Sequence, residues 1–355
     1  MKEIEIDGSY GEGGGQILRT SLTLSILTQR PVRIHRIRAS RKSPGLKPQH
    51  LMSAQAAAQI CGGRLEGAGL GATELSFYPG SVRAGQYTFD VAARAGSAGS
   101  VSLIFQTVLL PLGFARAASH IVFKGGTHVP WSPTADYLRD VFLPTVAPIG
   151  AEAKLEIPVA GFYPVGGGRL DVTVHTFRCP LKPMQIKERG ELKRLWISSA
   201  VANLPLSIAD RQLNRAIGRL AEHGLAPRGE SRSVDSPGKG AYCFILAEFE
   251  KIRAGFTALG AIGKRAEQVA DEAVEDFLGF RDQPGALDLH LADQVVLFTA
   301  LAEGESEVTL SEVTEHLKTN IWVIEQFLPV KFDLTEDSAG SGKTFRVRGA
   351  GFTMS

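Results

Sequence analysis

Leu310-Ser-Glu-Val-Thr-Glu-His316-Leu-Lys-Thr319-Asn320-Ile-Trp322-Val-Ile-Glu325 is a strand running into a helix. Its start closes an alternating run, and Ile321, Ile324, Phe327 and Leu328 then recur at helical spacing. Thr319 or Asn320 is the expected N-cap, because either side chain accepts a bond from a free backbone N–H. On that reading His316 stands just ahead of a helix N-terminus, whose unpaired N–H groups and dipole favour an anion. A neutral imidazole nitrogen there is placed to attack phosphorus. A lone histidine more often caps or packs, so the weight falls on the rest of the chain.

Just upstream, Ala286-Leu-Asp-Leu-His290-Leu-Ala-Asp293-Gln294 opens another helix. His290, Asp293 and Gln294 share one face at i, i+3 and i+4, and Leu291, Val295 and Phe298 form the buried one. Three polar groups at a helix start can read a base or a ribose. Taken alone, they are more often a solvated first turn.

At the other end, Ile4-Glu-Ile-Asp7 alternates as a strand and enters Gly8-Ser-Tyr-Gly11-Glu12-Gly-Gly-Gly-Gln16. A helix follows from Ile17. Such a turn lets backbone N–H groups approach a ligand, although it is neither the Walker pattern nor the dinucleotide fingerprint. Glu12 within it repels a phosphate unless a metal or a proton intervenes. Pro31–Arg38 alternates as a strand, Gln49-His50 opens a helix to Cys61, and Glu74–Tyr78 and Gln86–Val91 read as strands. The order strand, helix, strand, helix, strand, strand then recurs. A glycine/serine turn (Ala95–Ser100) enters a helix holding Gln106, followed by His120–Lys124, a helix over about Thr134–Ile149, and two strands flanking Gly161-Phe-Tyr-Pro-Val-Gly-Gly-Gly168. A further polar glycine loop (Ser338–Lys343) interrupts the last two strands. After Pro180–Pro183 the pattern changes, so 185–280 is expected to be a small inserted α/β domain, with 1–184 and 281–355 forming the main body. The fold class is α/β in the α+β sense, with repeated helix-pair-and-sheet units.

Composition bounds the rest. The chain has 355 residues, 44% hydrophobic and 21% charged, which is a globular composition sized for about two domains. Cys61, Cys179 and Cys243 are odd in number and widely spaced, forming neither a zinc pattern nor a disulfide framework, and a cytoplasmic setting is expected. No signal peptide or long apolar span is apparent, so no membrane partner is expected. Between Glu12 and Glu66 there is no acidic residue, whereas nine cations lie there: Arg19, Arg30, Arg33, Arg36, Arg38, Arg41, Lys42, Lys47 and Arg64. That run, interleaved with Gly, Ser and Pro, suits a polyanion.

Together these motifs resemble the RNA 3′-terminal phosphate cyclase family over essentially the whole chain. The carriers are Gly11–Arg19, Arg38-Ala-Ser-Arg41, Pro44–His50, Phe105-Gln106-Thr, Gly161–Gly168, His290–Gln294 and His316-Leu-Lys-Thr-Asn-Ile321. The resemblance implies three repeats of two helices on a four-stranded sheet plus the insertion. It implies that His316 is adenylated by ATP and passes AMP to an RNA 3′-phosphate, which then closes to a 2′,3′-cyclic phosphate. It also implies ATP contacts from Gln106, His290, Leu291, Ala292, Asp293 and Gln294. Phosphate or RNA-end contacts are implied for Arg19, Arg38, Arg41, Gln49 and His50, and Mg²⁺ or Mn²⁺ at Glu12. One rival is a non-catalytic cyclase-like protein assisting ribosome assembly, which lacks the histidine. Another is an enolpyruvyl transferase, which shares the fold plan and gives His316 no task.

Overall fold

The computed structural model describes residues 3–91, 98–336 and 342–354. Alternation in β1 (Ile4–Asp7) buries Ile4 and Ile6 on one face. There follow α1 (Gly15–Thr28), β2 (Val32–His35), α2 (Pro48–Cys61), β3 (Arg64–Glu66) and β4 (Leu75–Tyr78). They form a sheet in the order β1-β2-β4-β3, with the first pair parallel and the others antiparallel. A parallel pair needs a crossover, and α1 supplies it.

The plan repeats. Elements β5 (Gln86–Asp90), α3 (Val101–Gly113), β6 (Ser119–Gly125), an irregular helical segment α4 (residues 135–149), β7 (Ala153–Val159) and β8 (Gly168–Val174) give the order β5-β6-β8-β7. Then comes β9 (Gln185–Ile186). A separate sheet, ordered β11-β10-β12-β13, is built from β10 (Leu192–Ala202), β11 (Arg228–Ser233), β12 (Gly240–Phe249) and β13 (Arg253–Leu259). It carries α5 (Leu206–Glu222) and α6 (Ala266–Asp282). The third repeat is completed by α7 (Leu291–Leu301), β14 (Glu303–Leu310), α8 (Glu315–Phe327), β15 (Phe332–Glu336) and β16 (Lys343–Ala350), in the order β15-β16-β14-β9.

Three sequence expectations shift. Gln86–Val91 was expected to end the first unit, but β5 starts the second sheet, and the three-residue β3 takes its place. Three residues are too few to show a period. Gln185–Ile186 pairs with β14, so the start of the segment expected to form the insertion contributes a strand to the third sheet. The strand expected over Pro31–Arg38 stops at His35, because Arg36 and Arg38 take left-handed φ of 52° and 55°. Residues 95–97 and 338–341 of the predicted glycine turns lie outside the described residues. Among the described residues no helix is long and apolar enough to cross a membrane.

Helix α1 is the hub, packed on α2, α3 and α8, with α7 against α8. It is buried over Ile17–Leu18 and Thr20–Leu27. Thr20, Thr23, Ser25 and Thr28 each donate their hydroxyls within the protein, Thr23 to Thr107 O at 2.8 Å, whereas Ser21 Oγ is buried without a partner. The hub therefore draws the start of α1, the middle of α3 and the starts of α7 and α8 to one place.

Candidate active site

Helix α8 begins earlier than its sequence suggests. Thr314 is the N-cap, its Oγ1 accepting from Leu317 N–H at 3.1 Å, so His316 is the second helical residue. Thr319 and Asn320, the expected caps, are buried inside the helix and tie it to the first repeat. Thr319 Oγ1 accepts from Glu12 N–H (3.2 Å). Thr20 Oγ1 donates to Asn320 Oδ1 (2.5 Å), and Asn320 Nδ2 donates to Asp293 O (2.7 Å). These locks place the half-exposed His316 against the glycine loop.

Glu12 Oε2 lies 3.7 Å from His316 Nδ1 and is buried without a hydrogen-bond partner. The other carboxylate oxygen pairs with Arg41, whose guanidinium also donates to Glu12 O at 3.3 Å. Burial holds the His316 pKa below the usual imidazole value, and the charges of Arg19, Arg41 and His290 lower it further. The ring is therefore neutral at physiological pH, which is the nucleophilic form.

Between α1, α3, α7 and α8 is a cavity lined by Gln16, Arg19 and Thr20 of α1, Gln106 of α3, Asp293 and Gln294 of α7, and Asn320, with Leu109, Leu110, Phe142, Leu297 and Phe298 on its apolar side. Gln106 Nε2 donates to Gln294 Oε1 at 2.7 Å, joining the second repeat to the third. Arg19 donates to Gln16 Oε1 at 2.7 Å, and burial lowers its pKa to about 10 against the opposing charge of Asp293. Burial raises Asp293 to about 7, with Arg19 opposing and Asp288 reinforcing. A carboxyl poised this way can accept from a ribose or a base, or donate to one. His50 is buried. Its Nδ1 accepts from Lys47 N–H (3.1 Å), and burial with Arg19, Arg38 and Lys47 nearby drives its pKa to about 3. It therefore meets any ligand as a neutral N–H donor through Nε2.

The other expected residues have partners or positions of their own. Arg38 donates to Ser43 O (2.8 Å) and Gly45 O (3.0 Å), shaping the basic loop. Gln49 Oε1 accepts from Ser100 N–H at 3.0 Å, at the N-terminus of α3. Leu291 and Ala292 are buried in the core, whereas His290 is exposed at the α7 N-cap. The basic run is also less bare than its sequence implies. Arg33 pairs with Glu74 and Glu5, Arg36 with Asp7, Arg41 with Glu12 and Arg64 with Glu66, every acid coming from the ends of the interval or beyond it. Sequence reasoning missed Asp288. It is buried, accepts from Tyr137 Oη (2.9 Å) and caps α7 through His290 and Leu291 N–H. Its place two residues before His290 was the available signal, an Asx-type cap.

A metal would find one well-placed donor. The unpartnered Glu12 Oε2 fits a hard cation that draws its other ligands from water and phosphate, as Mg²⁺ does. Among the described residues no cluster of three or more His, Cys, Asp or Glu side chains offers an all-protein site.

A neutral histidine, a cleft holding Arg19 opposite Asp293, and an orphaned carboxylate oxygen make a candidate site for phosphorylated substrates. The sequence matches the RNA 3′-terminal phosphate cyclase family over residues 10–334. It is 45% identical over 345 residues to a protein of Methylococcus capsulatus named RNA 3′-terminal phosphate cyclase, covering 96% of each chain. Proteins of the same name match from Nostoc punctiforme (45% identity; 91% of this chain, 94% of the relative) and Archaeoglobus fulgidus (44%; 93% and 98%). The chain belongs to the RNA 3′-terminal phosphate cyclase family.

Proposed function

We propose that this chain uses ATP to convert an RNA 3′-terminal phosphate into a 2′,3′-cyclic phosphate, with AMP carried covalently on His316. The observation that carries this reading is the neutral, half-exposed imidazole 3.7 Å from Glu12 of the glycine loop and four residues before Asn320, which lines the cavity. Nδ1 faces Glu12, which leaves Nε2 as the attacking nitrogen. It bonds to the α-phosphorus of ATP, and pyrophosphate departs. The RNA 3′-phosphate then attacks the same phosphorus, breaking the P–N bond and freeing His316. Finally the 2′-hydroxyl attacks the activated phosphate, loses its proton, and expels AMP. Activation is needed because a phosphate monoester is a poor electrophile without a leaving group.

Gln106, Gln294 and Asp293 line the cavity that takes the nucleoside, Arg19 in the same lining meets phosphate oxygens, and His50, near Arg19, meets them beside it. Glu12 would hold Mg²⁺ or Mn²⁺, which supplies charge neutralisation for the phosphates. Arg41, released from Glu12, grips the RNA 3′-phosphate.

The test is incubation with α-³²P-ATP without RNA. The protein should retain label that is lost in acid and survives base, as a phosphoramidate does, and His316→Ala should fold yet remain unlabelled. Label persisting in His316→Ala ends the assignment.

A further inference from the structure

Tyr10 and Trp322 have no part in the chemistry above. Their rings stack with centroids 4.0 Å apart and planes 14° from parallel. A contact that only fastened the glycine loop to α8 would be closed to solvent, but Tyr10 keeps 44% of its surface exposed. One ring face is covered by the indole, and nearly half of the tyrosine's surface stays open to solvent.

The placement narrows what can sit there. Trp322 follows Asn320 by two residues, about 200° round the helix. The stack therefore lies on the side of α8 turned away from the cavity that Asn320 lines. Tyr10 is two residues before Glu12, and its loop lies against the basic turn: Gly8 N–H donates to His35 O at 2.7 Å, and Arg41 pairs with Glu12. Cations along a backbone path beside an open aromatic face is how proteins hold single-stranded nucleic acid.

We infer that Tyr10, backed by Trp322, is a stacking platform for a base within the last two nucleotides of the RNA whose 3′-phosphate reacts at His316. This rests on the function proposed above. Every base has a π-face, so the platform adds affinity for a base as such and little sequence preference.

The experiment uses the full chain and 5′-labelled RNAs ending in a 3′-phosphate, either complete or lacking the base of the terminal or the penultimate nucleotide. Dissociation constants are read by fluorescence anisotropy at one fixed salt concentration. For the parent protein, removing the stacked base should weaken binding about 5- to 150-fold. Tyr10→Ala should weaken binding of the complete RNA by a similar factor and bind complete and abasic RNA equally. Tyr10→Phe should keep the discrimination. A tyrosine that only fastened the loop would lower affinity for all the RNAs alike, leaving the ratio unchanged in Tyr10→Ala. That result, or a parent indifferent to both missing bases, overturns the platform. A parent that discriminates yet forms no cyclic phosphate upholds the platform and refutes the reaction. One that cyclises the RNA but binds complete and abasic forms equally does the reverse.

Discussion

Two glycine-rich segments, Gly8–Gly15 and Gly161–Gly168, look alike in composition and serve different ends. In the first, a Cβ on Gly11, Gly14 or Gly15 would meet side chains, although on Gly8 it would meet the backbone of His35 and Ile37. On Gly11 it would lie 2.4 Å from Thr319 Oγ1, on Gly14 2.1 Å from Glu12 Oε2, and on Gly15 2.3 Å from His50 Nε2. In the second, a Cβ on Gly161 or Gly168 would meet backbone, on Gly161 2.2 Å from Gly125 O and 2.5 Å from Gly168 N, whereas on Gly167 it would meet the Pro237 side chain. The first loop is open so that functional groups can converge. The second is open so that chain segments can touch, seating Phe162 beside His128 and Tyr242 where the second repeat meets the separate sheet. Around that seat His128 Nε2 bonds Asp136 Oδ2 (2.7 Å), and Arg139 donates to Asp136 Oδ1 (2.6 Å). Glycine clusters thus mark close approach, and the approaching group decides whether the result is a site or a joint.

The largest test of this contrast is Phe162→Ala. Emptying a buried aromatic seat should cost about 3–5 kcal/mol in urea denaturation. The protein that remains folded should still take up AMP from ATP. A variant as stable as the parent would show that Phe162 is not a structural anchor.

The glycines themselves come next. Gly161→Ala drives a methyl into backbone that cannot yield and should cost about 3 kcal/mol of stability. Gly14→Ala meets only the end of a flexible carboxylate, so its unfolding midpoint should stay close to the parent's while Glu12 is displaced and activity falls. Equal destabilisation by the two would erase the distinction drawn here.

Within the first loop, Arg41→Ala should still accept AMP from ATP. Transfer of that AMP to an RNA 3′-phosphate should slow roughly 30- to 150-fold, about 2–3 kcal/mol, as for other hydrogen bonds to charged groups. The measurement is loss of label from isolated adenylated protein after RNA is added. Failure to adenylate at all would assign Arg41 to the phosphates of ATP.

The smallest effect concerns Asp293. Its folded pKa, about 7, lies above its unfolded value of 3.8, so the folded state holds a proton that the unfolded chain releases. That stabilisation is complete below about pH 4 and is lost as pH rises through about 7. Asp293→Asn removes the dependence. Between pH 5 and pH 8, without ATP, the parent should lose about 1–2 kcal/mol relative to the variant, a figure reduced because Asp293 opens onto the cavity. Parallel stability profiles would place its pKa near the ordinary carboxylate range.

The sequence by itself indicated most of the elements and the candidate site residues. Alternation at Ile4–Asp7, the apolar helix around Gln106 and the His316-x-x-Thr319-Asn320 spacing are local patterns, and local patterns are what side-chain periodicity encodes. His316 was legible as a candidate only through its motif and the motifs around it, because a lone histidine more often caps or packs. Only the tertiary structure decided the rest, since the deciding contacts join distant parts of the chain. The Thr20–Asn320 bond spans 300 positions and turns an expected cap into a buried clamp. Arg41 seemed free because its partner, Glu12, lies 29 residues back. The place of β5 in the second sheet, the use of Gln49 at the start of α3 and the stacking of Tyr10 on Trp322 depend on which surfaces meet. No stretch of sequence carries that information, because burial and charge neutralisation belong to the packed whole.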